Sequence, residues 1–231
     1  MSDRVKQQVF IDKITDKKAA LKGEETPIQL YKELVHHRFF EVISNANPIF
    51  FSHVDTQILK DVITKFIQYG AKNELIWKLP NEFRAYVKKE KKHFKHMPYI
   101  NDLLWFEWIE IELFMQDYSA QKISKFNWDK FFKISKCARI KKLSYQVYLK
   151  KFNTKGKFFV LVYYDVTAQA VIYRELSSFM YEYLVLLKTQ SLKKALKTIT
   201  EKYRLKTKEV KALLEKPLKE LCALGVLKRK D

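Results

Sequence analysis

Apolar residues in the first half of the chain recur at intervals of three and four, which places them on one face of an α-helix. The longest run covers residues 30–43 and stops before Pro48, because proline disfavours helical backbone at the preceding residue. Asp55 or Thr56 can cap the next helix, and Gly70 can end it. The spacing predicts five helices, at about residues 5–14, 28–43, 56–70, 80–87 and 98–115.

Strand patterns replace this spacing in the second half of the chain, after Tyr118. Alternating apolar residues at 145–152 predict one strand. Two runs of aromatic and β-branched residues, at 158–164 and 170–176, predict a hairpin with its turn at 166–169. The hairpin is therefore expected to follow a third strand.

Three further helices are predicted after the hairpin. The residues that can cap them are Ser177 or Ser178, Ser191 and Thr207. Pro217 is expected to kink or split the last helix, which should end at Gly225.

The predicted fold class is α+β, with an all-helical domain at 1–117, a basic linker at 118–142 and a winged-helix-like domain at 143–231. The last domain is expected to combine a β-hairpin or three-stranded sheet with three helices. Winged helices bind DNA, and similar folds bind peptides that add a strand to their sheet. The fold alone does not choose between these functions.

Positive charge is concentrated in the second half. Residues 1–120 carry 18 Lys/Arg and 17 Asp/Glu, whereas residues 121–231 carry 27 and 9, which accounts for nearly all of the net charge of +19. The most basic stretch, 122–157, has 12 Lys/Arg and Asp129 as its only acid. This asymmetry indicates an acidic partner, which can be a nucleic acid, a peptide or a protein.

Aromatic residues alternate with lysines at 125–133, where they include Phe126 and Trp128. Such a stretch can stack on bases while its lysines neutralise phosphates. The same pattern is typical of an amphipathic segment that packs on its own domain. Both interpretations stay open at the level of sequence.

The composition argues against an enzyme. There are four glycines and no Gly-rich phosphate loop, no nucleophile motif, and two distant cysteines, Cys137 and Cys222, without metal-binding spacing. His93 and His96 are three residues apart but lie in the lysine run 88–95, whose charge repels a cation. That run is predicted to be a solvated helix end or loop. We expect no catalytic residue, no metal ligand and no cofactor in this chain.

The first residues lack the apolar run of a signal peptide, and no stretch approaches the roughly 20 apolar residues of a membrane helix. A cytoplasmic location without a membrane partner is therefore expected.

Short sequence words follow one another in a recognisable order. They are Tyr31-Lys-Glu-Leu-Val, Phe39-Phe-Glu-Val-Ile, Asn47-Pro48, Leu79-Pro80-Asn-Glu-Phe83, Leu104-Trp-Phe-Glu107-Trp108, and the runs 159–164, 171–176 and 221–227. Over residues 28–227 this order resembles proteins labelled as carrying an N-terminal DNA-binding domain. Those proteins are similar to the partner subunits of multinuclear-iron enzymes that mature ribosomally made peptides of the methanobactin, or oxazolone, type. Gly70 and Tyr164 depart from the family, which often has His and Arg there.

The resemblance implies a non-catalytic helper that forms a heterodimer with its enzyme and presents a precursor peptide to it. The partner holds the iron. Independently, a basic second half with an exposed strand edge is suited to capturing an acidic leader peptide by strand addition. Both arguments indicate leader-peptide recognition.

Seven residues are candidates for these contacts. Peptide contact is assigned to Val171, Tyr173, Arg174, Lys208 and Lys211, and partner docking to Glu107 and Trp108. For Val171 and Tyr173 the alternative is a place in the core, for the lysines simple solvation, and for Glu107 and Trp108 a role in holding the helical domain together.

The alternative function is a DNA-binding transcriptional regulator that uses the basic C-terminal half. Its recognition helix would lie at 206–222, a segment that has lysines but none of the Arg, Asn or Gln residues that usually read base edges.

Overall fold

The computed structural model describes residues 27–70, 75–90, 92–118 and 125–230, together with positions 5, 7 and 9. The predicted helix at 5–14 lies mostly outside the described residues. The chain forms two compact units, residues 1–108 and 109–231, and each is described by itself. It is an α+β protein with helices first and a small antiparallel sheet with helices afterwards, as predicted.

Unit 1 is helical in its described residues. Its helices are α1 (Pro27–Ala46), α2 (Pro48–Ser52), α3 (Thr56–Tyr69), α4 (Leu79–Lys89, after a 3-10 turn at Ile76–Lys78) and α5 (Ile100–Phe114), the last of which continues into unit 2. The Asp55 carboxylate caps α3 by accepting hydrogen bonds from the amides of Gln57 and Ile58. Gly70, with φ of +88°, ends that helix as predicted.

The core of unit 1 contains a cluster of phenylalanines. The rings of Phe66 and Phe50 lie 5.5 and 6.0 Å from that of Phe83, and these three side chains are at most 1% exposed. Phe94 packs edge-on against Phe50 at 5.6 Å and is 4% exposed. The segment 88–95 was predicted to be solvated, but Phe94 within it belongs to the core.

Unit 2 contains two antiparallel sheets. Its strands are β1 (Phe132–Ile134), β2 (Ala138–Leu143), β3 (Phe158–Asp165), β4 (Ala170–Leu176) and β5 (Leu227–Arg229). One sheet has the order β2-β3-β4, and the other pairs β1 with β5. The predicted hairpin is β3 and β4, in register from Phe159 opposite Leu176 to Asp165 opposite Ala170.

The strand predicted at 145–152 was wrong. Residues Val147–Leu149 form a 3-10 turn, and Lys150 leaves it with a left-handed φ of 55°. Tyr145, Val147 and Tyr148 are all buried, so their side chains do not alternate between a buried and an exposed face as a half-buried strand requires. The third strand is β2 instead, and both β1 and the start of β2 lie within the segment 118–142 that was predicted to be a linker.

Three helices complete unit 2: α6 (Ser178–Leu186), α7 (Leu192–Tyr203) and α8 (Thr207–Ala223). Ser177 caps α6 and Ser191 caps α7, through hydroxyls that accept the amides of Met180 and Lys194. The cap position of α8 is Lys206, one residue before the predicted Thr207, and its side chain makes no capping hydrogen bond.

Helix α8 is continuous through Pro217, so the proline does not split it. A proline within a helix costs about 3 kcal/mol. The neighbouring Leu214 and Leu218 are at most 1% exposed, and burying each contributes about 1.5–3 kcal/mol. Core packing therefore offsets the lost hydrogen bond. The helix ends at Ala223, and after Gly225, with φ of +69°, the chain turns into β5.

Candidate peptide-binding edge

Strand β4 has one unpaired edge. It pairs with β3 on one side, and among the described strands none pairs with it on the other. Its sequence, Ala-Val-Ile-Tyr-Arg-Glu-Leu, is rich in β-branched and aromatic residues. At the opposite edge of the sheet, β2 carries Arg139, Lys141 and Lys142, and charged residues discourage strand pairing. Of the two edges, β4 is thus better suited to accept a further strand.

Arg174 connects this edge to α8. Its Nη1 donates to Glu220 Oε1 at 2.6 Å, and its guanidinium lies 5.7 Å from the ring centre of Tyr163. The hydrogen bond to Glu220 raises the pKa of the Arg174 guanidinium. The two side chains are 41% and 51% exposed, and such pairs contribute at most about 1 kcal/mol. The ion pair therefore contributes little to stability, but it shows that Glu220 of α8 lies beside Arg174 of β4.

Helix α8 meets Arg174 at Glu220. Leu213, Pro217 and Glu220 are spaced by four and three residues and share a side of the helix. Leu213 is 69% exposed, the largest exposure among the large apolar side chains of the described residues. We call the unpaired edge of β4 together with this side of α8 the β4–α8 surface. It combines unpaired backbone with an exposed apolar side chain.

The other face of β4 carries Val171 and Tyr173, because alternate side chains of a strand point to opposite faces. The Tyr173 hydroxyl donates to the backbone carbonyl of Tyr148 at 3.3 Å, and the two rings are 5.7 Å apart. Val171 is half-buried, and Tyr173 is 44% exposed. All three predicted hairpin residues thus lie on the edge strand, with Arg174 facing the helices.

The two predicted lysines lie elsewhere on α8. Lys211 precedes Glu220 by nine residues, which is two and a half helical turns, so it lies on the opposite side of the helix. Its Nζ is 5.5 Å from the ring centre of Trp128. Lys208 is also exposed and lies about a third of a turn away from Glu220 in projection. The structure does not bring these lysines to β4.

Sequence reasoning missed two residues of the β4–α8 surface. Lys216 is exposed and lies one turn before Glu220, so it is the lysine of α8 that flanks the surface. Leu213 is next to the buried Leu214, but adjacent helical residues point about 100° apart, so Leu213 is exposed. The helical spacing measured from Glu220 is the signal that locates both residues.

A separate cleft of about 450 Å³ lies on the Lys211 side of α8. It is lined by Trp128, Lys193, Leu196, Lys197, Thr200, Glu201, Thr207 and Lys211. Lys193 pairs with Asp129, and this contact lowers the pKa of the aspartate. Phe126 and Trp128 pack against the core of unit 2, and Phe132 is 2% exposed. These positions favour the packing interpretation of segment 125–133 over base stacking.

Glu107 has a structural role within unit 1. It is 7% exposed, and its carboxylate accepts hydrogen bonds from the amides of Ile49 at 2.6 Å and Phe50 at 3.3 Å, at the start of α2. Trp108 is half-buried, and the Arg84 guanidinium lies 5.3 Å from its ring centre. The Glu107 carboxylate therefore binds backbone amides within unit 1, and little of its surface is accessible to a partner protein.

The described residues contain no group of three or more His, Cys, Asp or Glu side chains that could hold a metal ion. No helix in the same part of the chain is long and apolar enough to cross a membrane. Cys137 and Cys222 are both buried and are thiols rather than a disulfide. Burial raises the pKa of the Cys222 thiol to about 12. The buried Cys222 thiol therefore stays protonated near neutral pH, and protonated thiols are poor nucleophiles.

No protein-family model and no curated protein matches this chain. The family resemblance that the sequence words indicate stays a prediction.

Proposed function

We propose that this chain is a non-catalytic subunit that captures an extended precursor peptide along β4 and presents it to a metal-dependent enzyme that modifies the peptide. The observation that carries the proposal is the unpaired edge of β4 beside the apolar side of α8. The enzyme that the sequence resemblance favours is a multinuclear-iron protein in a heterodimer with this chain. Two buried cysteine thiols that are not joined in a disulfide are compatible with a reducing cytoplasm.

Strand addition gives this surface both affinity and selectivity. Each backbone hydrogen bond between β4 and an added strand contributes about 0.5–1.5 kcal/mol, and side chains on alternate faces select the sequence. Covering Leu213 adds an apolar contribution. The excess of lysines over acids in residues 121–231 steers an acidic peptide toward the domain.

A DNA-binding regulator is the second candidate, and one observation favours it. Helices α7 and α8 are joined by the three-residue turn 204–206, as in a helix-turn-helix motif. However, the Lys211 ammonium lies against the ring of Trp128. In a recognition helix that used Lys211, Trp128 would stand on the side of α8 that faces DNA. Lysines of α8 that contact phosphates would bind DNA without choosing a sequence.

The test is an affinity purification of the tagged full-length chain from the cells that produce it, with and without nuclease. Bound proteins and peptides are identified by mass spectrometry, and iron is measured in the eluate. Leu213→Lys places a charge on the β4–α8 surface, and Ala212→Lys places the same charge on the neighbouring exposed position of α8.

We expect a stoichiometric iron protein to survive nuclease treatment. A co-purifying peptide should be lost with Leu213→Lys and kept with Ala212→Lys. Recovery of nucleic acid alone, without a protein partner, would reject the proposal and favour the regulator.

A further inference from the structure

We infer that the strand captured by β4 carries a carboxylate that replaces Glu220 on Arg174, with an apolar residue two positions before and two positions after it. This inference rests on the proposed function and specifies the class of peptide: an extended segment with the pattern apolar-x-acidic-x-apolar.

Three side chains of β4 lie on the face of the sheet that meets the helices. Ile172, Arg174 and Leu176 lie opposite Tyr163, Leu161 and Phe159 of β3. Ile172 and Leu176 are partly buried against the core of unit 2. Along the face that meets α8, the edge therefore presents an apolar residue, a cation and another apolar residue.

A strand added to this edge places its side chains directly opposite those of β4, with Cβ atoms about 4.5–5.5 Å apart. The residue opposite Arg174 faces a guanidinium, and there an acidic side chain is favoured and a basic one repelled. Its neighbours two residues away face Ile172 and Leu176, which are partly buried against the core of unit 2. Apolar side chains at these two positions cover the exposed parts of Ile172 and Leu176.

Glu220 occupies the place of the ligand carboxylate in the free chain. Its contact with Arg174 is short, yet both side chains remain about half exposed, so water can reach the pair. Arg174 is also supported from the sheet by the ring of Tyr163, and that contact does not depend on Glu220. Exchange of one carboxylate for another thus leaves the guanidinium in position.

Lys216 strengthens the preference for an acidic ligand. It is exposed on α8 one turn before Glu220, on the same flank of the helix. When the ligand carboxylate pairs with Arg174, the released Glu220 carboxylate is within one helical turn of the Lys216 ammonium. Lys216 then compensates the negative charge of Glu220 in place of Arg174.

The experiment exchanges the two charges. Arg174→Glu combined with Glu220→Lys keeps an ion pair and the net charge but reverses the charge on β4. The matched control exchanges Lys219 and Glu215, an ion pair of 2.6 Å on α8, by Lys219→Glu with Glu215→Lys. Random nine-residue peptides displayed on phage are selected against the wild-type chain, both exchange variants and Leu213→Lys, all full length.

Selected peptides are then synthesised and titrated by fluorescence anisotropy. Wild type and the control exchange should both enrich apolar-x-acidic-x-apolar sequences, and the Arg174–Glu220 exchange should enrich Lys or Arg at the central position. The best acidic peptide should lose at least about tenfold in affinity on that exchange, which corresponds to about 1.4 kcal/mol. Glu220→Gln should bind it a few-fold more tightly.

Other outcomes separate the two proposals. Apolar alternating peptides without a charge preference, or a preference that the exchange does not change, would overturn the inference and leave strand capture in place. Equal enrichment on wild type and Leu213→Lys would overturn both. A dimer of the wild-type chain in sedimentation that Leu213→Lys dissolves would mean that a second copy occupies the edge, and this too would overturn the inference.

Discussion

Glu107 accepts a hydrogen bond of 2.6 Å from the backbone amide of Ile49, a residue 58 positions earlier in the chain. The same carboxylate accepts from the next amide, that of Phe50. One buried side chain on α5 thus satisfies two amides at the start of α2, which would otherwise lack partners within the helix.

Glu107→Gln should lower the free energy of unfolding by about 1–3 kcal/mol, because one charge-assisted acceptor is replaced by an amide group that cannot accept through its nitrogen. Urea unfolding followed by circular dichroism measures the change. Glu110→Gln, at an exposed position of the same helix, is the matched control and should change stability by less than about 0.5 kcal/mol. Equal effects of the two substitutions would contradict a structural role for Glu107.

Ser191→Ala should destabilise unit 2 by about 1 kcal/mol, because the hydroxyl that accepts the Lys194 amide at the start of α7 is lost. Ser191→Asp retains an acceptor at the cap and should restore most of that stability. Thermal unfolding of the three chains gives the comparison. If the aspartate variant is as unstable as the alanine variant, the loss does not come from the cap.

The stability contributed by the Cys222 thiol should depend on pH. Burial raises its pKa from 9.0 to about 12, so above pH 9 the unfolded chain loses a proton that the folded chain keeps. Stability from this group is complete below pH 9 and declines as pH rises toward 12. Between about pH 8 and pH 10, the wild type should lose about 1.4 kcal/mol relative to Cys222→Ala.

Urea unfolding of both chains at the two pH values measures this difference. The lysines titrate in both chains, so their contribution cancels in the comparison. A constant difference between wild type and Cys222→Ala would show that the thiol has an ordinary pKa.

Binding to duplex DNA should be weak and independent of sequence. The exposed lysines of α8 neutralise phosphates, so the logarithm of the affinity should fall linearly with the logarithm of salt concentration. Two duplexes of equal length and unrelated sequence should bind within about threefold of each other, since phosphate contacts do not read bases. A preference of more than about a hundredfold for one selected duplex would instead support the regulator.

Local signals predicted a large part of the fold. Asp55, Ser177 and Ser191 cap helices as their residue types suggest, and Gly70 ends α3, because these effects depend only on neighbouring residues. The hairpin of β3 and β4 was equally readable from its β-branched and aromatic runs. These elements could be predicted because the backbone conformation of each one is favoured by its own residues.

Strand β2 was missed because its sequence, Ala-Arg-Ile-Lys-Lys-Leu, carries three cations that suggest a linker. Only its pairing with β3 makes it a strand, and pairing is a tertiary property. The continuity of α8 through Pro217 also depends on the core rather than on local preference.

The candidate site was predicted in part for the same reason. A strand edge with Val171, Tyr173 and Arg174 follows from the hairpin, whereas the contact from Arg174 to Glu220 joins residues 46 positions apart. No spacing rule locates such a partner in advance. The place of Lys211 beside Trp128, away from β4, likewise depends on how the segment 125–131 returns to α8.

The pairing of β1 with β5 has a consequence for the order in which the protein is made. Phe132 lies opposite Arg229, so a strand synthesised early in unit 2 receives its partner only when nearly all of the unit has left the ribosome. Unit 1, whose contacting phenylalanines are Phe50, Phe66, Phe83 and Phe94, can pack its core long before that moment. During synthesis, unit 1 can therefore fold before the last strand of unit 2, β5, has been made.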